Sequence, residues 1–222
     1  LPGQWLIEQG LTTIGSILRW YRDNFAGPER MAAEDLGIST YDLISRQAAN
    51  AKAGANKLLL LPFFMGAKAT RWNPDARGVV FGLTLDHGRK ELARAVMEGV
   101  AYELRACLDV LAGMKMLPER IVLMGGGSKG ELWNQIKANV TGFAVGLPRQ
   151  TEAASLGAFI LAGAGIGLFL DPAATSQSIN PVVRHFEVNR REKETYDGLY
   201  AIYNELYEAT EKLTHRLAQL EG

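Results

Sequence analysis

Residues 121 to 140 read IVLMGGGSKGELWNQIKANV. An apolar run, three consecutive glycines and a stretch of helical period follow one another without a break. Glycine loses more conformational freedom on folding than any other residue. Three in a row therefore mark a place where the backbone turns sharply or is approached closely. The pattern dictates a strand, a tight turn and a helix. In open α/β sheets, ligands bind at the carboxyl ends of strands, and the N–H groups at a helix amino terminus attract phosphate. One physical reading is a nucleotide site touching phosphate, base or both; the other is a strand-to-helix turn without a ligand. Gly125, Gly127 and Gly130 fit the Gly-x-Gly-x-x-Gly spacing. That motif, however, belongs to the first strand of a βαβ unit, with an acid about twenty residues on. The next apolar run, AVGLP, ends without one, and no phosphate-loop pattern ending in Gly-Lys-Ser/Thr occurs.

The same alternation runs along the chain. Trp5 to Gln9 reads as a short strand, and Thr12 or Thr13 to Phe25 as a helix with Ile14, Ile17, Leu18 and Tyr21 on one face. Gly27-Pro28 breaks it. A helix is expected over Tyr41–Ala53, a buried strand within NKLLLLPFF, and another strand over Val79–Leu83. A long helix follows from Arg89 to about Leu111, with Leu92, Val96, Val100, Leu104, Cys107 and Leu111 as its apolar stripe. Next come the strand RIVLM, a helix over Lys129–Val140, the short strand AVGLP and a helix over residues 151–167. After a polar loop with Pro172 and Pro181, a last helix runs from Arg190 to about Leu220. Strands alternating with helices predict an α/β fold, a mixed sheet flanked by helices.

Composition narrows the function classes. The 24 basic residues balance the 24 acidic ones, so no field points to nucleic acid or an anionic membrane. Residues 153–170, AASLGAFILAGAGIGLFL, approach the length of a membrane span but carry Gly157, Gly163, Gly165 and Gly167. They read instead as a buried helix whose small residues pack on the sheet. The one cysteine, Cys107, cannot form an internal disulfide, which fits a reducing cytoplasm. The start, Leu-Pro-Gly-Gln-Trp, reads as the middle of a longer protein.

Several motifs together carry a resemblance. GVVFGLTLDHGRKELARAVMEGVAYELR, residues 78 to 105, is similar to the second signature of the FGGY carbohydrate kinases. MGGGSKGELWNQIKANVTGFAVGLPRQTEAASLGAFILAGAGIG resembles that family's adenosine motif and the helix after it. WNPDARGVVFGLT, GSILRWYRDN and YDGLYAIYNELYEA match as well, so the likeness covers almost the whole chain. The run GGGSK..LWNQIKA is most like the pentulose-type members, such as xylulokinases and fuculokinases.

The resemblance implies an actin-like (ribonuclease H-like) ATPase domain, here the carboxyl-terminal of two, over residues 1–222, with residues 190–220 as its terminal helix. It implies ATP and magnesium in a cleft between the domains, and transfer of the γ-phosphate to a sugar hydroxyl. The general base, the magnesium ligand and most sugar contacts would lie in the other domain, so no catalytic residue is expected in this chain and the fragment alone is expected to be inactive. A homodimer is among the partners it implies. Gly125, Gly126, Gly127 and Ser128 match the adenosine motif. Gly15 matches a glycine that approaches the phosphates, and Arg19 a polar nucleotide-contacting position. Several relatives carry asparagine where this chain has Gly130. Either Glu131 or Asn134 substitutes for that adenine contact, or the contact is lost. The alternative function is a stand-alone, non-catalytic interaction module of the same fold.

Other residues read as structural. Trp72 is expected as a packing anchor and Trp133 as core. Asp75 and Arg77 are expected to hold the NPDARG turn by a salt bridge, and His185 and His215 to be solvated. His87 is expected in a loop away from the nucleotide. No cluster has metal-ligand spacing.

Overall fold

The computed structural model describes residues 6–220. The long helix α4 (Arg89–Gly113) is the hub. α1 (Ile14–Phe25) and α3 (Thr40–Ala49) pack on it, joined by α2 (Gly27–Leu36). The strand β1 (Leu59–Leu61) lies against α4 and pairs antiparallel with β2 (Val79–Phe81), Leu60 opposite Val80. On the other side, β3 (Ile121–Val122) leads through the glycine turn into α5 (Glu131–Thr141), which packs along α4. β4 (Val145–Pro148) pairs parallel with β3 and antiparallel with β5 (Val182–Phe186). Between β4 and β5 stand α6 (Ala153–Gly165) and α7 (Pro172–Ile179); α8 (Arg190–Ala218) closes the chain.

The expected mixed sheet is thus present as β3-β4-β5, and β1-β2 forms a separate sheet. Residues 6–9 form no strand, and Trp5 lies outside the described residues. Gly27-Pro28 does not break the helical region but starts α2, with proline in the first turn, where its missing N–H costs nothing. Pro172 starts α7 in the same way, and Asp171 caps it by accepting from Ala173 and Ala174.

α4 is buried on nearly all sides over its first half, so its stripe is wider than the sequence pattern. Gly99 makes room for β1: a Cβ there would stand 2.4 Å from the Leu60 carbonyl oxygen. α8 lays Tyr196, Tyr200 and Tyr203 around Tyr102 of α4, with ring centroids 5.0 to 6.2 Å away. The hydroxyls are used as well. Tyr203 donates to Glu103 and Tyr196 to Glu98, each at 2.8 Å. Glu98 also accepts from Arg94 at 2.8 Å and from the Gly54 N–H at 3.0 Å. That second bond pins the segment Ala55–Lys57, whose three residues all have positive φ.

Four further expectations are corrected. The helix over residues 153–165 is not buried: Ile160 and Gly163 are, but Phe159 and Leu161 of α6, and Ile166, Leu168 and Leu170 after it, stand in solvent. Its apolar character was legible, but the sequence does not say what it packs on. Trp72 is 77% exposed with φ +45, so it anchors nothing. Asp75 and Arg77 do not pair among the described residues. Arg77 donates to the Pro74 and Ala76 carbonyls, and Asn73 Oδ1 accepts from the Asp75 N–H. His215 is half-buried rather than solvated, with Nε2 2.7 Å from Asn73 Oδ1. Cys107 is buried as expected, and burial pushes its thiol up to about 11.

Candidate nucleotide site

The three glycines are not equivalent. Gly125 has φ +75 and ψ −175, a region open essentially only to glycine. Its N–H donates to the Thr151 carbonyl at 2.8 Å, joining the turn to the start of α6. Gly126 has no positive φ, and a Cβ added there would meet nothing within 4 Å. Neither the backbone nor the packing requires glycine at that position. Gly127 lies over Trp133, where a Cβ would make ordinary contact at 3.7 Å. The tight-turn reading therefore explains Gly125 and leaves Gly126 without a reason.

The turn is fixed from beneath. Ser128 is buried and its hydroxyl donates to the Gly125 carbonyl at 2.7 Å. Asn134 donates to the Ser128 carbonyl at 2.6 Å. Lys137 donates to the Gly127 carbonyl at 2.8 Å and holds its ammonium 4.5 Å from the Trp133 ring centroid. Trp133 is core, as expected, and its indole N–H donates to the Met97 carbonyl of α4 at 3.0 Å. Burial alone lowers Lys137 to about 8.

The two side chains expected to stand in for an adenine contact are engaged within the protein. Asn134 is buried with its amide nitrogen turned to the Ser128 carbonyl, while its Oδ1 has no hydrogen-bond partner among the described residues. Glu131 pairs with Arg184 of β5 at 2.5 Å, which holds its carboxyl below the usual range. Gly130, at the amino end of α5, leaves only ordinary contact for a Cβ, at 3.8 Å from Ser45 Oγ.

α1 adjoins the Gly126–Ser128 turn. Gly15, in its first turn, is exposed with nothing within 4 Å of an added Cβ, and Arg19 one turn later is exposed too. The fold thus brings α1 to the glycine turn, while Lys129 at the turn pairs with Glu152 at 3.7 Å. Sequence reasoning missed Lys137. The signal was present: a lysine on the same helix face as Trp133, Ile136 and Val140, all of them buried.

A groove of about 1070 Å³ lies elsewhere, between Lys52–Lys57, the loop after β2 and α8. His87 lines it and holds that loop, accepting from the Thr84 N–H at 2.8 Å. Among the described residues, no three acidic, histidine or cysteine side chains stand close enough to hold a metal ion. No helix among them is long and apolar enough to cross a membrane.

A model of the carboxyl-terminal domain of the FGGY family of carbohydrate kinases matches residues 1–166. The chain belongs to that family. This FGGY chain is 34% identical over 218 residues to the gluconokinase of Bacillus subtilis (strain 168), covering 98% of itself and 42% of that protein. It is 32% identical over 212 residues to the autoinducer-2 kinase of Photorhabdus laumondii subsp. laumondii, covering 90% and 40%. The crystal structure of a ligand-bound xylulose kinase from Lactobacillus acidophilus matches with a TM-score of 0.74 at 27% identity, covering 87% of this chain and 37% of that one. The FGGY chain thus spans about two fifths of the length of the curated relatives it matches. The α/β, actin-like ATPase fold expected from its motifs is the one it has.

Proposed function

We propose that this chain is the ATP-side part of a sugar kinase that passes the γ-phosphate of ATP to a hydroxyl of a ketopentose or a related polyhydroxylated acceptor. Gly126 carries the reading: a glycine that no backbone strain and no neighbour requires, on the open side of a turn that opens a helix. Gly15 repeats the pattern on the adjoining helix. In this reading, Gly125, Gly126, Gly127 and Ser128 form a flat backbone surface against adenosine or the α-phosphate. Gly15, Arg19 and Gly130 border it. Asn134 and Glu131 act as supports, through Ser128 and Arg184. Phosphoryl transfer rests on positioning and charge stabilisation, so a chain that holds part of the nucleotide cradle binds ATP weakly and turns nothing over by itself. The general base lies outside this chain. Magnesium, bound with the ATP phosphates, belongs to the same proposal, with its protein ligand in the other domain. The relatives' names extend the candidate acceptors from xylulose to gluconate and autoinducer-2. Cytoplasmic location and a homodimer belong to the proposal.

The experiment is ATP titration of the natural protein and of Gly126→Val, followed by ADP release with xylulose, fuculose, gluconate and glycerol. ATP binding lost in a folded Gly126→Val variant supports the reading. Equal binding by both proteins returns the glycines to a plain turn. The exposed apolar face of α6 favours a second reading, the non-catalytic interaction module. It predicts no sugar-dependent ADP release from the natural protein.

A further inference from the structure

Lys137 is 6% exposed, and among the described residues no carboxylate pairs with it. Its one hydrogen-bond partner is the Gly127 carbonyl, and its ammonium faces the Trp133 ring. An unpaired buried cation is expensive, and an aliphatic residue at this place on α5 would pack against the same core. The lysine is spent on a single carbonyl of the glycine turn. That carbonyl belongs to the Gly127–Ser128 peptide unit, whose N–H donates to the Gly125 carbonyl at 3.0 Å, so both ends of the unit are held and the turn keeps one shape. A positive charge behind a thin, side-chain-free turn also raises the potential on its open face, where protein rather than water separates the two.

We propose that Lys137 is a positioning residue for the nucleotide, acting through the Gly127 carbonyl and through its charge to favour the phosphates of ATP on the open face of the turn. The proposal rests on the nucleotide reading of that turn. Trp133 is the second part of the device. Its indole, tied to Met97 of α4, is the surface on which both the ammonium and Gly127 rest, so α4 sets the height of the turn.

The other charged groups on the elements around α5 are engaged or in solvent. Asp42 and Arg46 of α3 are exposed, Glu98 of α4 pairs with Arg94, and Arg105 of α4 and Lys193 of α8 pair with Asp197. Glu192 of α8 accepts from Asn139, Arg184 of β5 pairs with Glu131, and Lys129 pairs with Glu152. A change in nucleotide affinity that follows the charge of Lys137 is therefore separable from theirs by substitution at this one position.

The test is ATP affinity, by titration between pH 7 and 9, of the natural full-length protein and its Lys137→Met, Lys137→Gln and Lys137→Arg variants, each checked for a cooperative thermal transition. Lys137→Met is expected to bind ATP about tenfold more weakly at pH 7, the size of one charge-assisted hydrogen bond. Lys137→Gln, which keeps a donor and loses the charge, is expected to fall between. If Lys137→Met does not fold, Lys137→Gln carries the comparison. Wild-type affinity is expected to weaken as pH rises through about 8, where Lys137 loses its proton. Lys137→Arg, whose guanidinium stays charged, is expected to be flat. Equal affinities at pH 7, or the same pH slope in all four proteins, overturns the role of Lys137 and leaves the nucleotide site standing. A wild type that binds no ATP overturns both.

Discussion

Arg94 and Glu98 form an ion pair one helical turn apart inside the core, Nε to Oε1 at 2.8 Å, with both side chains almost wholly buried. The guanidinium is completed by the Ala51 carbonyl and the Tyr196 hydroxyl, and the carboxylate by the Gly54 N–H and the same tyrosine. One ion pair thus links α4, the strained segment after α3, and α8. Removing one partner leaves the other charge buried and alone. Glu98→Ala is expected to cost about 3–5 kcal/mol of stability, read as a lowered midpoint in urea.

The same carboxyl gives stability a pH dependence. Burial raises Glu98 to about 7, against the pull of Arg94 and the other donors. Its unfolded value is the ordinary one, near 4.5. Between the two, the native state binds the proton more readily than the unfolded state does. This group's contribution is therefore fully present below about pH 4.5 and is lost as pH rises through about 7. Denaturation from pH 5 to 8 should show that slope in wild type and its loss in Glu98→Gln.

Gly99→Ala is expected to destabilise by about 1–3 kcal/mol, the range for overpacking. The added methyl would meet a backbone oxygen of β1, which cannot rotate away as a side chain could. Calorimetry on the purified variant decides it. A melting temperature equal to wild type would mean that α4 and β1 slide apart freely.

Leu161→Gln and Ile166→Gln stand at the other extreme. Both residues are more than half exposed, so each change should shift the stability of this chain by no more than about 0.5 kcal/mol. A loss of several kcal/mol would mean that the α6 face is covered in solution.

Legibility followed local signals. α1, α3, α4, α5 and α8 each carry an apolar period, and their observed bounds fall close to the expected ones. α2 and α7 are hidden because Gly27-Pro28 reads as a break and Pro172 as part of a polar loop, although each proline sits in the first turn of a helix. β5 was hidden because three of its five residues face solvent and it exists by pairing with β4. At the candidate site, the glycine motif was visible as a string of residues. The division of labour within it was not. That Gly125 is required by its backbone while Gly126 is not depends on φ and on empty space, and neither is written in the spacing.

The tyrosines of α8 bear on where this folding unit ends. The match to the family model closes at residue 166, although the likeness to the Bacillus subtilis gluconokinase covers 98% of the chain. Tyr196, Tyr200 and Tyr203 come later and surround Tyr102, while Tyr207 packs on Phe63 and donates to Glu211 beside Asn73. A protein cut where the family model ends would lose the far wall of its own core. It would leave Glu98 and Glu103 without their phenol donors. The family-model match is shorter than the part of the chain that builds the core, and the last helix belongs to that core.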